Sequence, residues 1–197
     1  MKRFSQGAVL GALVAALVAG GSGPDGPAAA QAAEVKLDAL TLTVPAQWQQ
    51  QRPSNNLRLG QFQIPAVAGD QEPAELGLFN FGFGGGVKEN VARWIGQFEP
   101  DGREVKITRG ASKQGSYVFV DLRGTHKKPI GPPVQQRTQP APGYRMLGVI
   151  LAIEGKGNYF LKLVGPEKTV AAAAEAFRTS FGGNAASEKE YDPEKPE

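Results

Sequence analysis

The 197-residue chain contains no cysteine, and that absence removes several chemistries at once. It leaves no thiol nucleophile, no thiolate metal site and no disulfide, and it excludes the cysteine-linked lipid anchor of bacterial lipoproteins. Histidine is almost as scarce, since His126 is the only one. A histidine-based metal centre needs several strong ligands, and none is spaced to help it. A catalytic triad would have to use His126 as its base, and no G-x-S-x-G nucleophile accompanies it. An excess of charge of one sign is also lacking. Lys and Arg number 22 against 19 Asp and Glu, a net charge of +3, and the basic residues are scattered. That pattern gives no electrostatic footprint for nucleic acid. No apolar run reaches the ~20 residues of a membrane-spanning helix.

What is present begins with an export signal. Lys2 and Arg3 precede Ala8 to Ala19, an apolar stretch of 12 positions, and Ala30-Gln31-Ala32 fits a cleavage pattern. The stretch is too short to cross a bilayer comfortably and suits the core of a signal peptide, with an uncleaved anchor as the alternative. The expected product is bacterial, periplasmic or secreted, without stable membrane insertion after cleavage. Residues 1–32 are read as the signal peptide, 33–185 as one domain and 186–197 as a charged, disordered tail rich in Glu and Lys. About 165 residues remain after cleavage, enough for one core without staples.

Strand-like runs fill the domain: Val35 to Val44, Leu57 to Ile64, Glu75 to Phe83, Val105 to Thr108, Tyr117 to Arg123, Tyr144 to Glu154 and Asn158 to Val164. The third is apolar on both faces, with Leu76 and Leu78 on one and Phe79, Phe81 and Phe83 on the other, so both faces should be covered. Gly155-Lys156-Gly157 joins the last two as a hairpin. Two segments have helical period. Val87, Val91, Trp94, Ile95 and Phe98 share one face, with Arg93 and Gln97 on the solvated side. Val170, Ala174, Phe177 and Phe181 form a second stripe, opened by Gly165-Pro166 and stopped by Gly182-Gly183. Short links make the sheet largely antiparallel. The expectation is an α+β domain: six or seven strands with helices on both faces, an α/β/α sandwich.

The opening LTLTVPAQW, the middle helix and the C-terminal helix after a hairpin resemble the PsbP/Mog1-type sandwich over roughly residues 36–182. The segments RPSNNLRLGQF and NFGFGGGVKENVARWIGQF are also similar to a group of exported bacterial proteins of uncharacterised function. The first resemblance implies a binding or assembly module rather than an enzyme. It brings no functional residue with it, because no metal or partner motif of the family is matched.

Candidate sites follow from the residues. The glycine run Gly82 to Gly86, between a strand and a helix, has the outline of a phosphate loop. A Walker loop needs Lys directly after its last glycine and a hydroxyl next. Here Val87 intervenes and Glu89 replaces the hydroxyl. The dinucleotide pattern fails at Val87 too, so a structural turn is the better reading, with generic anion contact as the alternative. Asp70, Glu72 and Glu75 read as a solvated loop, with weak calcium binding as the alternative. Asp121 and Arg123 lie on one face of a strand and should pair across the sheet. His126 reads as an exposed strand-end residue, and Trp48, Trp94 and Phe98 as core.

The segment from Lys127 to Tyr144 holds five prolines and joins two apolar strands. Long irregular loops in compact domains are often functional, and prolines lower the entropy lost on binding. Lys127, Lys128, Pro132, Pro133, Arg137 and Tyr144 are therefore the candidate partner-binding residues. No catalytic residue, metal or cofactor is assigned. The sequence reading is an exported non-enzymatic binding or assembly module, with an unknown protein or small-molecule partner in the cell envelope. Its alternative is a small exported hydrolase using Ser, Asp and Lys groups that converge only in three dimensions, which a deep cleft lined by Asp121, Arg123 and His126 would favour.

Overall fold

Asp38 and Ala39 interrupt the first apolar run, and Asp38 takes a left-handed conformation, φ 56°, that Asp tolerates better than most residues. The run therefore folds into a hairpin of β1 (Ala33–Leu37) and β2 (Leu40–Val44), a small sheet of its own. The computed structural model describes residues 32–81, 86–131 and 133–195. After the hairpin come β3 (Gln49–Gln51), β4 (Arg58–Ile64), β5 (Ala74–Asn80), α1 (Val87–Ile95), β6 (Glu104–Ser112) and β7 (Gly115–Pro129). The chain continues through β8 (Thr138–Ile153), β9 (Gly157–Pro166), α2 (Glu167–Ser180) and β10 (Lys189–Glu190). Strands β3 to β10 form one antiparallel sheet in the order β10-β6-β7-β8-β9-β5-β4-β3. The expected six or seven strands become eight plus the separate hairpin. The additions at the two edges, β3 and β10, are short and polar, and carry no alternation to read.

Alternation along the central strands divides the core in two. Tyr159, Leu161 and Leu163 of β9 face α2 and the β1–β2 hairpin, packed with Phe119, Val149, Phe177 and Phe181. Phe160 and Val164 face α1, packed with Val91, Trp94, Phe98, Val120 and Met146. Both faces are covered, and the molecule is an α+β sandwich. Trp48 is buried as expected. Trp94 lies on Gly148, where an added Cβ would come within 2.4 Å of the indole.

Helix ends are set by distant residues as much as by local ones. Pro166 occupies the cap of α2 and offers no side-chain acceptor. Asp70 supplies one instead, accepting from the Thr169 N–H and the Thr169 hydroxyl at 2.7 Å each. At the other end Gly182, φ 82°, reverses the chain while the Gly183 N–H donates to the Arg178 carbonyl.

Two expectations need correction here. The supposed long loop is mostly hairpin: Lys127, Lys128 and Pro129 pair with Pro140, Gln139 and Thr138. Only residues 130–137 are left as a connection. β9 ends at Pro166, opposite Tyr144, so the outer part of β8 has a neighbour on one side only. That is where prolines interrupt a ladder least. The C-terminal stretch, expected as a disordered tail, folds back onto the sheet. β10 pairs with β6, and buried Glu188 takes hydrogen bonds from Arg178, Thr108 and Tyr117. Burial alone would raise the Glu188 pKa, but the Arg178 and Thr108 donors hold it below the usual carboxylate value.

Candidate functional site

α1 has nine residues and is ~13 Å long, whereas eight strands at ~4.8 Å spacing span more than 30 Å. It therefore covers only part of its face. Beyond it, β4 and β5 turn Gln61, Gln63 and Glu75 towards the same side, while their chain neighbours Phe62, Ile64 and Leu76 enter the other core. The uncovered part is a cleft of about 680 Å³. Arg58, Gln61 and Glu75 line it from the sheet, and His126, Lys128 and Tyr144 from the β7–β8 hairpin.

Two ion pairs frame this cleft. The Arg58 Nη1 donates to Glu75 at 2.7 Å, and the Gln61 amide donates to the second Glu75 oxygen at 2.9 Å. Across the cleft Glu72 accepts from Lys128 and from the Tyr144 hydroxyl, the latter at 2.7 Å. Lys128, then Tyr144, holds the Glu72 carboxyl below its ordinary value, and Glu72 raises Lys128 in turn. Asp70, Glu72 and Glu75 thus do not form a solvated trio or converge. One caps α2 and the other two join separate pairs. Among the described residues no group of three His, Asp or Glu side chains is placed to hold a metal ion.

His126 corrects a second reading. It is buried, at 4% exposure, not exposed. A register shift between Gly124 and His126, and an isolated bridge to Phe98, turn it under the segment that follows α1. Its ring stacks on Tyr144, centroids 5.7 Å apart, and leans on Phe98 at 5.1 Å. The Nδ1 atom has no hydrogen-bond partner. Burial, with Lys162 and Lys128 nearby, pushes its pKa down to about 4, so the ring is neutral at pH 7.

Lys162 is the residue that sequence reasoning passed over. It lies between Phe160 and Val164 on the α1 face of a central strand, opposite Gly77 of β5 and Gly148 of β8. Its ammonium donates to the Gln97 side-chain oxygen. Burial, and then the positive Arg58, lower its pKa to about 8. The signal was in the sequence: one lysine inside the otherwise apolar run YFLKLV. Gln97, assigned to solvent, is its partner, and Arg93 donates to Asn90 at 2.6 Å.

The predicted partner-binding residues separate. Lys128 and Tyr144 meet at the cleft. Lys127 instead reaches the Gly96 carbonyl at 3.3 Å and lies 3.7 Å from Glu99. Arg137 is exposed in the connection, where Pro133 begins a single short turn. Pro132 lies outside the described residues. Asp121 pairs across the sheet as expected, its two oxygens accepting from Arg145 at 2.8 and 2.7 Å. It lines a separate depression of about 210 Å³ with Arg178 and Glu188, away from His126. Asp121, Arg123 and His126, whose common cleft would have favoured the hydrolase reading, therefore do not line one site. Gly82, Gly84 and Gly85 of the glycine run, with Phe83 between them, lie outside the described residues. At Gly86 the Glu89 carboxylate folds back so closely that a Cβ would come within 2.2 Å of it, which places a negative group at the helix start. Among the described residues no helix is long and apolar enough to cross a membrane.

Comparison with known proteins gives a fold neighbour only. No family model matches the chain. No curated protein matches it either. Among solved structures it is similar to the solution structure of cyanobacterial PsbP (CyanoP) from Synechocystis sp. PCC 6803. The match has a TM-score of 0.47 at 13% identity, and covers 88% of this chain and 99% of that one. No residue role is transferred from it.

Proposed function

We propose that this chain is an exported, non-catalytic binding or assembly module that engages its partner through the cleft beside α1 and the β7–β8 hairpin forming its wall. The observation that carries the reading is the incomplete cover of the α1 face. A sheet that is sealed on one side leaves on the other a cleft of the size of a small-molecule or side-chain pocket, about 680 Å³. The hairpin beside it projects past the end of β9 and ends in Val134, 88% exposed. Export rests on the N-terminal sequence.

The test is capture from a cell-envelope extract by the chain, beside two variants: Lys128→Glu, and residues 130–137 replaced by Asn-Gly. A partner retained by the parent and weakened about tenfold or more by either change supports the reading. Retention unchanged by both would refute it. A hydrolase is the second reading because His126 and Lys162 both have shifted pKa values on the cleft side. No hydroxyl among the described residues is hydrogen-bonded to either, and turnover of ester or amide substrates abolished by Lys162→Met would favour it.

A further inference from the structure

We propose that the outer edge of β6 is a docking site for an extended acidic strand of a partner protein, and that the chain's own C-terminal segment fills only the first part of it. The site lies at the β10 end of the sheet, away from the cleft, so it stands or falls separately from the reading above.

The first observation is a carboxylate receptor built from the body of the fold. The Glu188 carboxylate accepts from Arg178 Nε at 2.7 Å and Nη2 at 3.4 Å, from the Thr108 hydroxyl at 2.7 Å and from the Tyr117 hydroxyl at 3.1 Å. The donors stand on α2, β6 and β7, and the Arg178 guanidinium is fixed over the Phe119 ring at 4.1 Å. The acceptor comes instead from the segment that follows the last helix. Charge-assisted donors held on rigid elements and met by a carboxylate from a chain end have the form of a receptor with its ligand in place.

The second observation is that the backbone edge is used only in part. β10 pairs Lys189 with Arg109 and Glu190 with Thr108, and the Tyr191 N–H donates to the Ile107 carbonyl at 3.1 Å. Outward-facing backbone groups recur at every second residue, so the next ones belong to Val105. In the same register the residue opposite Val105 is Pro193, which has no N–H to give. The segment turns off instead, and the N–H groups of Glu194 and Lys195 donate back to Asp192. Among the described residues no backbone bond continues the ladder, and the Val105 side chain is 42% exposed. Proline stops the resident segment short of an edge that a strand without it would follow, and such an edge is a template for another strand.

The third observation is the chemistry of the occupant, which the resident segment displays. Glu188 enters the α2 face, and Tyr191 lies on the α1 face with the Arg109 guanidinium over its ring at 5.7 Å. The register then sets Asp192 against Lys106, and both line one shallow depression. A strand with Glu, an aromatic three residues on, then an acid and an apolar residue meets Arg178, Arg109, Lys106 and Val105 in turn. The three cations give the partner its acidic character.

The probe is a fluorescein-labelled synthetic peptide with the sequence of residues 184–197 and the change Pro193→Val. Its acceptor is the full chain carrying Glu188→Gln, which loosens the resident segment and keeps Arg178, Thr108 and Tyr117. The expected result is a saturable rise in fluorescence anisotropy. Glu188→Gln in the peptide should weaken binding by about tenfold or more, and restoring proline at 193 should weaken it as well. No saturable rise, or an affinity that does not depend on the peptide's Glu188, overturns the proposal. Amide hydrogen exchange of the parent chain is a second measurement that needs no variant. The Val105 N–H should exchange as an unpaired amide does, and a Val105 N–H already protected at all protein concentrations overturns the proposal. Protection that grows with protein concentration would make a second copy of this chain the occupant, and overturns the foreign strand likewise. If the peptide fails while Lys128→Glu still abolishes partner capture, the docking edge falls and the cleft reading stands.

Discussion

The two faces of this one sheet are finished differently. On the α2 side a 14-residue helix and the β1–β2 hairpin together cover the strands, and the large side chains Phe177, Phe181, Leu161 and Tyr159 are fully enclosed. Polar groups on that side stand at the margin and are matched: Gln114 bonds the Thr41 backbone and the Phe181 carbonyl, and Glu188 bonds Arg178. On the α1 side a nine-residue helix covers a smaller apolar cluster and then stops. Beside it stand a lysine without a counter-ion, a neutral buried histidine and an arginine, with the histidine Nδ1 and the arginine Nε unmatched. The lesson is a division of labour set by helix length. Stability is concentrated where cover is complete, and unmet polar chemistry collects where it is not.

The most severe way to break this division is to damage the sealed side. Phe177 touches Phe119 and Phe181 at ring-centroid distances of 6.2 and 5.9 Å and is fully buried. Phe177→Ala should destabilise the fold by about 3–5 kcal/mol, through lost transfer energy and the cavity left behind. Urea unfolding at pH 7 measures it. A loss below about 2 kcal/mol would show that this face collapses easily and is no better packed than the other.

A second, smaller effect belongs to the α1 side and depends on pH. Burial pushes His126 down to about 4 from an ordinary value of 6.5. Between those values the unfolded chain binds a proton that the folded chain refuses, so stability falls as pH falls from 6.5 towards 4. The loss approaches roughly 3 kcal/mol at the acid end. Carboxylates contribute little above pH 5, and no other histidine exists, so the slope from 6.5 to 5 belongs to His126. Urea midpoints across that range should slope in the parent and flatten in His126→Phe. Equal slopes in both would mean that the ring is not enclosed.

Much of this layout was legible in the sequence, for identifiable reasons. The stripe through Val91, Trp94 and Phe98 and the stripe through Val170, Phe177 and Phe181 are buried where their period put them. Hydrophobic period reports which side of an element meets the core, and both cores obey it. The edges were not legible. Gln49–Gln51 and Lys189–Glu190 are strands because a neighbouring strand offers them hydrogen bonds, not because of their own side chains. The prolines at 129, 140 and 142 suggested a loop, yet strand pairing holds the backbone around them. The site was half legible. Lys128 and Tyr144 stood out through their segment, but His126 was misplaced because its burial depends on Phe98, which reaches it through the turn after α1. Lys162 was available as a lone charge in an apolar strand and was absorbed into the strand reading.

Lys162 also gives the mildest and sharpest test of the comparison, because its sign is opposite to that of a core residue. Its pKa falls to about 8 from an ordinary 10.5, through burial and the nearby Arg58. Folding therefore favours the neutral amine, and the parent should gain stability as pH rises from 8, where the unfolded chain still holds the proton. Below pH 8 the folded protein carries the full cost of the buried charge. Lys162→Met removes that cost and leaves only the half-exposed Gln97 oxygen without its donor. At pH 7 the variant should be more stable than the parent by on the order of 1–2 kcal/mol. Between pH 8 and 9.5, below the raised tyrosines, its stability should stay flat while that of the parent climbs towards it. A destabilised Lys162→Met would mean that the lysine belongs to the architecture of the α1 face, and that the two faces are finished alike. A stabilised variant would show a residue that folding alone does not favour, on the face that the short helix covers only in part.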